Sequence, residues 1–365
     1  MPELTVSLFL TVTSIALGAT IGSFLNVCIY RMPRDLSVNQ PRRSFCPNCK
    51  KGIAWYLNIP VLSWLFLRGK CSNCSEPISA RYPLIEALTA VLFLVIWLTF
   101  PPFVAIAYWF LISLFIVATF IDFEHYIIPD EITIGGAILG IIASGLVPAL
   151  MKVDNAFHSL GLSIFGAFVG FGLLYAVILL GKVAFGRSRV TFEEPEPWTI
   201  DQPNEDEDPI LTVGEDKVSW GEIFYRPKMD RLRISGPAFA LDGRSFEGKD
   251  LTIYWDRCHI DGEDYPLEEI KKISGKAESI VIPREAMGEG DAKYMACVGA
   301  FLGWQAVPFT LFAGSITGSL AWIIGRLIGK ADLSKKIPFG PYLTVGAIIW
   351  MFWGPDLVQW YQSRL

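Results

Sequence analysis

Charge is scarce in this chain. Only 18% of its 365 residues are Asp, Glu, Lys or Arg, while 52% are hydrophobic and mean hydropathy is +0.41. That balance argues against a soluble globular protein. It points to a polytopic membrane protein, because apolar runs long enough to span a bilayer recur along the chain. A cleavable signal end is also lacking. The first apolar run continues into Asn26-Val27-Cys28-Ile29-Tyr30-Arg31, which reads as a retained anchor. Histidine is scarcer still, with three residues. An imidazole without a partner is seldom a ligand, so His125 and its neighbour Glu124 read as solvated. The isolated Cys258-His259 pair reads as a buried thiol beside a surface imidazole.

The charge that is present is unevenly placed. Arg187 to Glu285 holds 14 Lys+Arg against 23 Asp+Glu, a net −9, and the rest holds 17 against 13, a net +4. The membrane portion is basic and the insert acidic. Arg31 to Arg81 carries nine basic residues against Asp35 and Glu76. The positive-inside rule puts this loop in the cytoplasm and the N-terminus outside. About eight spans follow: Val6 to Tyr30, Leu84 to Phe100, Phe103 to Ile121, Ile132 to Leu150, Phe157 to Leu180, Asp291 to about Trp304, Val307 to Ile328, and Tyr342 to about Trp360. Arg326, Lys330, Lys335 and Lys336 mark a further cytoplasmic turn. The expected fold is an all-α polytopic membrane protein with a cytoplasmic four-cysteine zinc loop and a small, mainly β soluble insert.

The expected division is 1–30 as the first helix, 31–83 as the zinc loop, 84–185 as helices two to five, 186–286 as the acidic insert, and 287–365 as the last three helices. Within the insert, Thr191 to Pro209 is rich in Glu, Asp and Pro and reads as a flexible linker. Arg231 to Ile234, Leu251 to Trp255 and Ser279 to Ile282 have strand-like content.

Seven cysteines include two Cys-x-x-Cys pairs, Cys46/Cys49 and Cys71/Cys74, separated by 21 residues. Four thiolates in two pairs suit a tetrahedral structural zinc site in a reducing compartment. Such a site has no open position for catalysis. Between the pairs, Trp55 to Leu65 is too short to span and suits the membrane interface. Cys28 and Cys297 sit in apolar runs and read as packing residues.

Two carboxylates fall at the same membrane edge although far apart in sequence. Asp122 ends one apolar run, and Asp291, in Gly288-Glu289-Gly290-Asp291, opens another. Glycines lack a Cβ and let the backbone turn tightly or approach another chain. Two readings compete. The pair could share a proton and act on a water and a scissile carbonyl, as in aspartic proteases, or each could be a solvated helix-end cap. Asp130 follows Pro129 before an apolar run and reads as an N-cap.

Five ordered motifs resemble the type IV prepilin peptidases, the bifunctional prepilin leader peptidase/N-methyltransferases. They are Gly22-Ser23-Phe24-Leu25-Asn26-Val27 with Arg31-Met32-Pro33; the paired-cysteine loop with Asn58-Ile59-Pro60 and Arg81-Tyr82-Pro83-Leu84-Ile85-Glu86; Ile121-Asp122 through Ile128-Pro129-Asp130; Gly288 through Lys293; and Ile337-Pro338-Phe339-Gly340-Pro341-Tyr342-Leu343. The resemblance implies a Gly-x-Gly-Asp membrane aspartic protease of the bacterial inner membrane with its active site facing the cytoplasm. Asp122 and Asp291 would be the dyad, and prepilins or pseudopilins the substrates. It also implies N-methylation from S-adenosylmethionine associated with the cysteine loop, for which Gly69, Lys70 and Glu86 are candidates. The implied partners are these proteins and the lipid bilayer, with no nucleic acid. A zinc-stapled scaffold without catalysis is the alternative. An ion transporter is disfavoured, because both aspartates lie at one face and not at mid-bilayer.

Overall fold

The fold was taken from a computed structural model, which describes residues 2–41, 44–46, 48–185, 187–201, 209–214, 216–224, 230–247, 250–260, 262–283, 288–328 and 338–364. The chain forms two compact units, Met1–Tyr175 with Glu289–Leu365, and Ala176–Gly288. Lys330, Lys335, Lys336 and Ile337, all used above, lie outside the described residues.

The first unit is helical. Its long elements are α1 (Pro2–Arg31), α3 (Arg81–Thr99), α4 (Pro102–His125), α5 (Asp130–Leu146), α6 (Ala156–Phe185, continuing into the second unit), α8 (Glu289–Leu302), α9 (Ala306–Leu327) and α10 (Gly340–Gln362); a short α2 (Leu62–Phe66) lies in the cysteine loop. Helices satisfy their own backbone polar groups, which apolar segments in hydrocarbon require. Eight long helices thus stand where eight spans were expected. The count of eight spans is borne out only in part, however. Among the described residues, five helical segments are long and apolar enough to cross a membrane: Leu8–Arg34, Arg81–Thr99, Pro102–His125, Ala156–Gly181 and Ala306–Leu327. Helices α5 and α8, with 17 and 14 residues, are short. Helix α10 is long but less apolar.

Packing fixes the helices that matter for the site. Helix α1 lies along α3, where buried Asn26 donates its side-chain amide to the Tyr82 carbonyl at 3.1 Å. Helices α6 and α8 touch at backbone level. A Cβ at Gly166 would fall 2.2 Å from the Gly299 carbonyl oxygen, and one at Gly299 would fall 2.0 Å from that of Gly166. Only glycine fits at either position. Ser163 adds a hydroxyl bond to the Ala300 carbonyl at 2.7 Å. Helix α8 is almost wholly buried from Ala292 to Leu302.

The second unit is an antiparallel sheet of ten strands: β1 (Arg187–Asp201), β2 (Ile210–Val213), β3 (Asp216–Ser219), β4 (Leu232–Ser235), β5 (Ala238–Leu241), β6 (Arg244–Glu247), β7 (Asp250–Ile253), β8 (Arg257–Ile260), β9 (Glu263–Pro266) and β10 (Lys272–Pro283). A one-turn α7 (Trp220–Ile223) follows β3. The order is β3-β2-β1-β10-β4-β7-β8-β9, with β5 and β6 joined to β10 as a side hairpin. The three segments expected as strands became β4, β7 and part of β10, which are neighbours in the sheet. Alternate strand residues bury Trp198, Leu211, Leu232, Ile234, Leu251, Ile253 and Ile280 with Trp220 in one core, as a period of two requires.

The flexible-linker reading of Thr191 to Pro209 is overturned for its described part. Residues through Asp201 belong to β1, which pairs with β10 from Arg187↔Pro283 to Asp201↔Lys272. The register shifts between Thr191 and Glu196, and this irregular stretch holds Pro195. Bulges accommodate proline, which cannot donate to a ladder. Residues 202–208 lie outside the described set. Cys258 is fully buried, and His259 is half-exposed and held by Asp264 at 2.7 Å. Burial pushes the Cys258 thiol up to about 11, which keeps it inert.

Candidate active site and metal centre

Three segments of the helical unit converge at one end. Helix α4 delivers Asp122 in its last turn, buried to 5% exposure, and closes on Tyr126 in the left-handed region at φ 57°. Helix α8 delivers Asp291 in its first turn, where free N–H groups and the macrodipole favour an acid. Gly290, the residue before Asp291, stands against Ile128 of the segment that follows Asp122. The third segment is the start of α10. The Gly340 N–H donates to Asp122 Oδ2 at 2.9 Å. A Cβ at this position would lie 2.8 Å from that oxygen and 3.1 Å from Ile128 Cδ1. Sequence reading noted the motif around Gly340 but gave it no role. The signal was there: a glycine ahead of Pro341, which suits the first turn of a helix, puts a bare N–H at a helix start.

Ile128 is the floor between the motifs. It packs under Gly340 and also faces Gly290, where a Cβ would meet it at an ordinary 3.6 Å. Gly290 therefore makes no close approach that requires a glycine. Asp130 is corrected as well. It is the first residue of α5 and makes no cap bond. Its carboxylate instead holds Lys293 Nζ at 2.7 and 3.0 Å, tying the start of α5 to the N-terminal end of α8. Glu124 is exposed but not merely solvated, for it pairs with Arg81. His125 is likewise not simply solvated. Its Nε2 is buried without a partner among the described residues.

The four-cysteine loop is built twice on one plan. In each half the fifth residue of the knuckle has positive φ, Lys50 at 58° and Ser75 at 59°. Its N–H bonds back to the first cysteine's carbonyl, Lys50 to Cys46 and Ser75 to Cys71, each at 2.9 Å. Isolated bridges, Phe45↔Gly52 and Lys70↔Pro77, close both turns. The four Sγ atoms lie within 4.8 Å of one another, and Cys46 and Cys74 are 3.8 Å apart. Tetrahedral zinc with bonds of about 2.3 Å spaces its sulfurs by about 3.8 Å, so the donor set fits a metal ion. Backbone N–H groups of Asn73 and Cys74 draw the Cys71 thiol down to about 6, which favours the metal-binding thiolate.

A cavity of about 550 Å³ opens beside this loop, lined among others by Asn26, Tyr30, Trp64, Arg81, Tyr82 and Glu86. Of the three methyltransferase candidates, Glu86 lines it, and Gly69 and Lys70 are not among its lining residues. Gly69 turns at φ 69° beneath Trp64, where a Cβ would fall 2.9 Å from the indole. Lys70 belongs to the second knuckle bridge. Glu86 Oε2 accepts the Val61 N–H at 2.6 Å and so holds the Asn58-Ile59-Pro60 loop, in which Val61 has φ 62°. Buried Arg31 donates to the carbonyls of Ser37, Val38 and Pro41, which folds the chain leaving α1.

Comparison with known proteins bears on this geometry. A model of the bacterial peptidase A24 N-terminal domain matches residues 16–100, which carry the cysteine loop. A model of the type IV leader peptidase family matches residues 109–188 and 273–323, which carry both aspartates. The chain belongs to this family. It is a peptidase. Proteins named prepilin leader peptidase/N-methyltransferase resemble it, several over nearly their full length. That of Aeromonas hydrophila is 29% identical over 94% of this chain and 91% of its own. That of Pseudomonas aeruginosa is 25% identical over 95% and 92%. That of Myxococcus xanthus is 47% identical over 34% and 37%. No solved structure matches.

Proposed function

We propose that this family member is an aspartic endopeptidase that removes the leader of type IV prepilins and type II secretion pseudopilins at the cytoplasmic face of the bacterial inner membrane. All eight long helices cross in this reading, with the basic 31–81 loop inside. The observation that carries it is the convergence of helix ends far apart in sequence: the Gly340 N–H at the start of α10 bonds Asp122 Oδ2 in the last turn of α4, and Ile128 stands against both Gly340 and Gly290, the residue before Asp291. Asp122 Oδ2 accepts the Gly340 N–H, so the dyad's proton resides on Asp291 or on Asp122 Oδ1. The ionised partner takes a proton from water, whose oxygen attacks the scissile carbonyl carbon. The protonated partner gives its proton to the carbonyl oxygen. Collapse of the tetrahedral intermediate breaks the C–N bond, with a proton delivered to the leaving amine.

The new N-terminus is methylated in the same reading. S-adenosylmethionine supplies an electrophilic methyl group. The cavity beside the cysteine loop falls in the usual size range of small-molecule sites. Glu86 and the unpartnered Asn26 Oδ1 are acceptors there for ligand N–H groups. Purified protein mixed with a prepilin, with and without S-adenosylmethionine, tests both steps by mass spectrometry of the product. An intact leader would sink the peptidase reading, and a cleaved but unmethylated product would sink the second step.

The metal is proposed to be structural zinc, held by Cys46, Cys49, Cys71 and Cys74. Protein prepared without chelator should contain about one zinc per chain. Replacing Cys71 and Cys74 with Ser should remove it and expose residues 31–81 to limited proteolysis while the helices persist. Protein free of zinc would count against the assignment.

The acidic second unit is proposed to be an accessory module. Its first and last residues in the sheet, Arg187 and Pro283, are paired, so one short linker can replace everything between them. Such a variant should still cleave a prepilin peptide in detergent. Complete loss of cleavage in a variant that inserts normally would make the module part of the catalytic site.

A further inference from the structure

One turn deeper than the proposed dyad, three hydroxyl groups meet inside the helical unit. Tyr294 O–H and Thr344 Oγ1 are 2.6 Å apart, and Thr119 Oγ1 donates to Thr344 Oγ1 at 3.0 Å. Each residue sits on a different helix, and each helix supplies one part of the site. Thr119 precedes Asp122 by three positions on α4. Tyr294 follows Asp291 by three on α8. Thr344 follows Gly340 by four on α10. Residues three or four apart lie one above the other on a helix face. The trio therefore repeats, one layer down, the arrangement of Asp122, Asp291 and the Gly340 N–H.

The surroundings make this layer sensitive to alignment. Tyr294 is fully buried and Thr344 is 6% exposed. The phenol packs against Phe115 of α4 with ring centroids 5.6 Å apart. A buried hydroxyl left without a partner loses its hydrogen bond and regains no water. Rotation of any one helix about its axis would break the trio. Nothing else among the described contacts ties α4, α8 and α10 together through polar atoms at this depth. The Asp130–Lys293 ion pair joins α5 to α8 at the exposed rim, where such pairs are weak.

We propose that Thr119, Tyr294 and Thr344 are positioning residues that hold the three helices in the register at which the two aspartates and the Gly340 N–H meet. This rests on the dyad reading above. It assigns the trio no proton transfer. Its effect is on the alignment of the dyad and not on substrate binding, because the trio lies beneath the carboxylates.

The test is steady-state cleavage of a prepilin peptide by full-length protein in detergent, with thermal unfolding followed in parallel. Thr344→Val keeps the shape and removes the hydroxyl, and Tyr294→Phe does the same for the phenol. Each should lower kcat about tenfold with KM unchanged, and the double variant should be no slower than the slower single, since one network is lost once. Thr344→Ser should restore most of kcat. Unchanged kcat in Thr344→Val, a rise confined to KM, or additive losses in the double variant would overturn the proposal. Thr119→Val gives a third reading if Tyr294→Phe proves unfolded. Asp291→Asn, assayed alongside, separates the two ideas. Retained cleavage in that variant defeats the dyad reading itself, whereas its inactivity with full activity in Thr344→Val defeats only the positioning role.

Discussion

Asp291→Asn and Asp122→Asn should each lower leader cleavage by at least about a thousandfold, since each removes a group that no other side chain in the site replaces. Asn has nearly the shape of Asp, so insertion and unfolding temperature should change little. Asp122 is the more informative of the two. Its Oδ2 is fixed by the Gly340 N–H, and an Asn there can still accept that bond through its amide oxygen. Loss of activity in Asp122→Asn would then report the missing acid–base function and not a lost contact. The double variant should be no worse than either single, because the proposed dyad would act as a unit. Near-normal cleavage by either single variant would remove that residue from the mechanism.

The second large effect is expected at a residue with no reactive group. Gly340→Ala places a methyl 2.8 Å from Asp122 Oδ2 and 3.1 Å from Ile128 Cδ1. One of three things must then move: the carboxylate, the Ile128 loop or the start of α10. Displacements of about 1 Å at a reacting group cost on the order of a hundredfold in rate, and kcat should fall by about that factor. Gly340 lies at a helix start, so overall stability should fall far less than activity. Peptide cleavage and thermal unfolding measured on the same preparation separate the two. Full activity in a folded Gly340→Ala protein would show that the carboxylate does not depend on this contact.

The sequence made the helices legible because apolar runs are long and their ends carry charge or proline. It also made the four cysteines legible, because paired spacing survives any loop conformation. Other features were hidden for identifiable reasons. Strand β1 carries Glu193, Glu194, Pro195, Glu196 and Pro197, a composition that locally disfavours a strand, and only its long-range pairing with β10 makes it one. Asp130 had the sequence setting of a cap, but a lysine 163 positions away takes its carboxylate. Tyr294 and Thr344 looked like ordinary residues of apolar helices. Their partnership depends on which faces of α8 and α10 meet, and a single sequence does not encode that locally. Gly340 fell between these cases, visible as a motif but mute about its target.

The shortness of α8 has a consequence for the depth of the proposed site. Fourteen residues rise about 21 Å, against a hydrocarbon core of about 30 Å. In the proposed topology Asp291 lies at one membrane edge, and the chain turns at Gly303, whose φ is 81°, short of the opposite edge. Helix α5, its packing partner, stops early too, and Met151 just beyond it comes within 3.7 Å of where a Gly303 Cβ would stand. In the proposed topology both helices end short of the far membrane edge. In that topology bilayer thickness becomes part of the environment that would set the depth of Asp291.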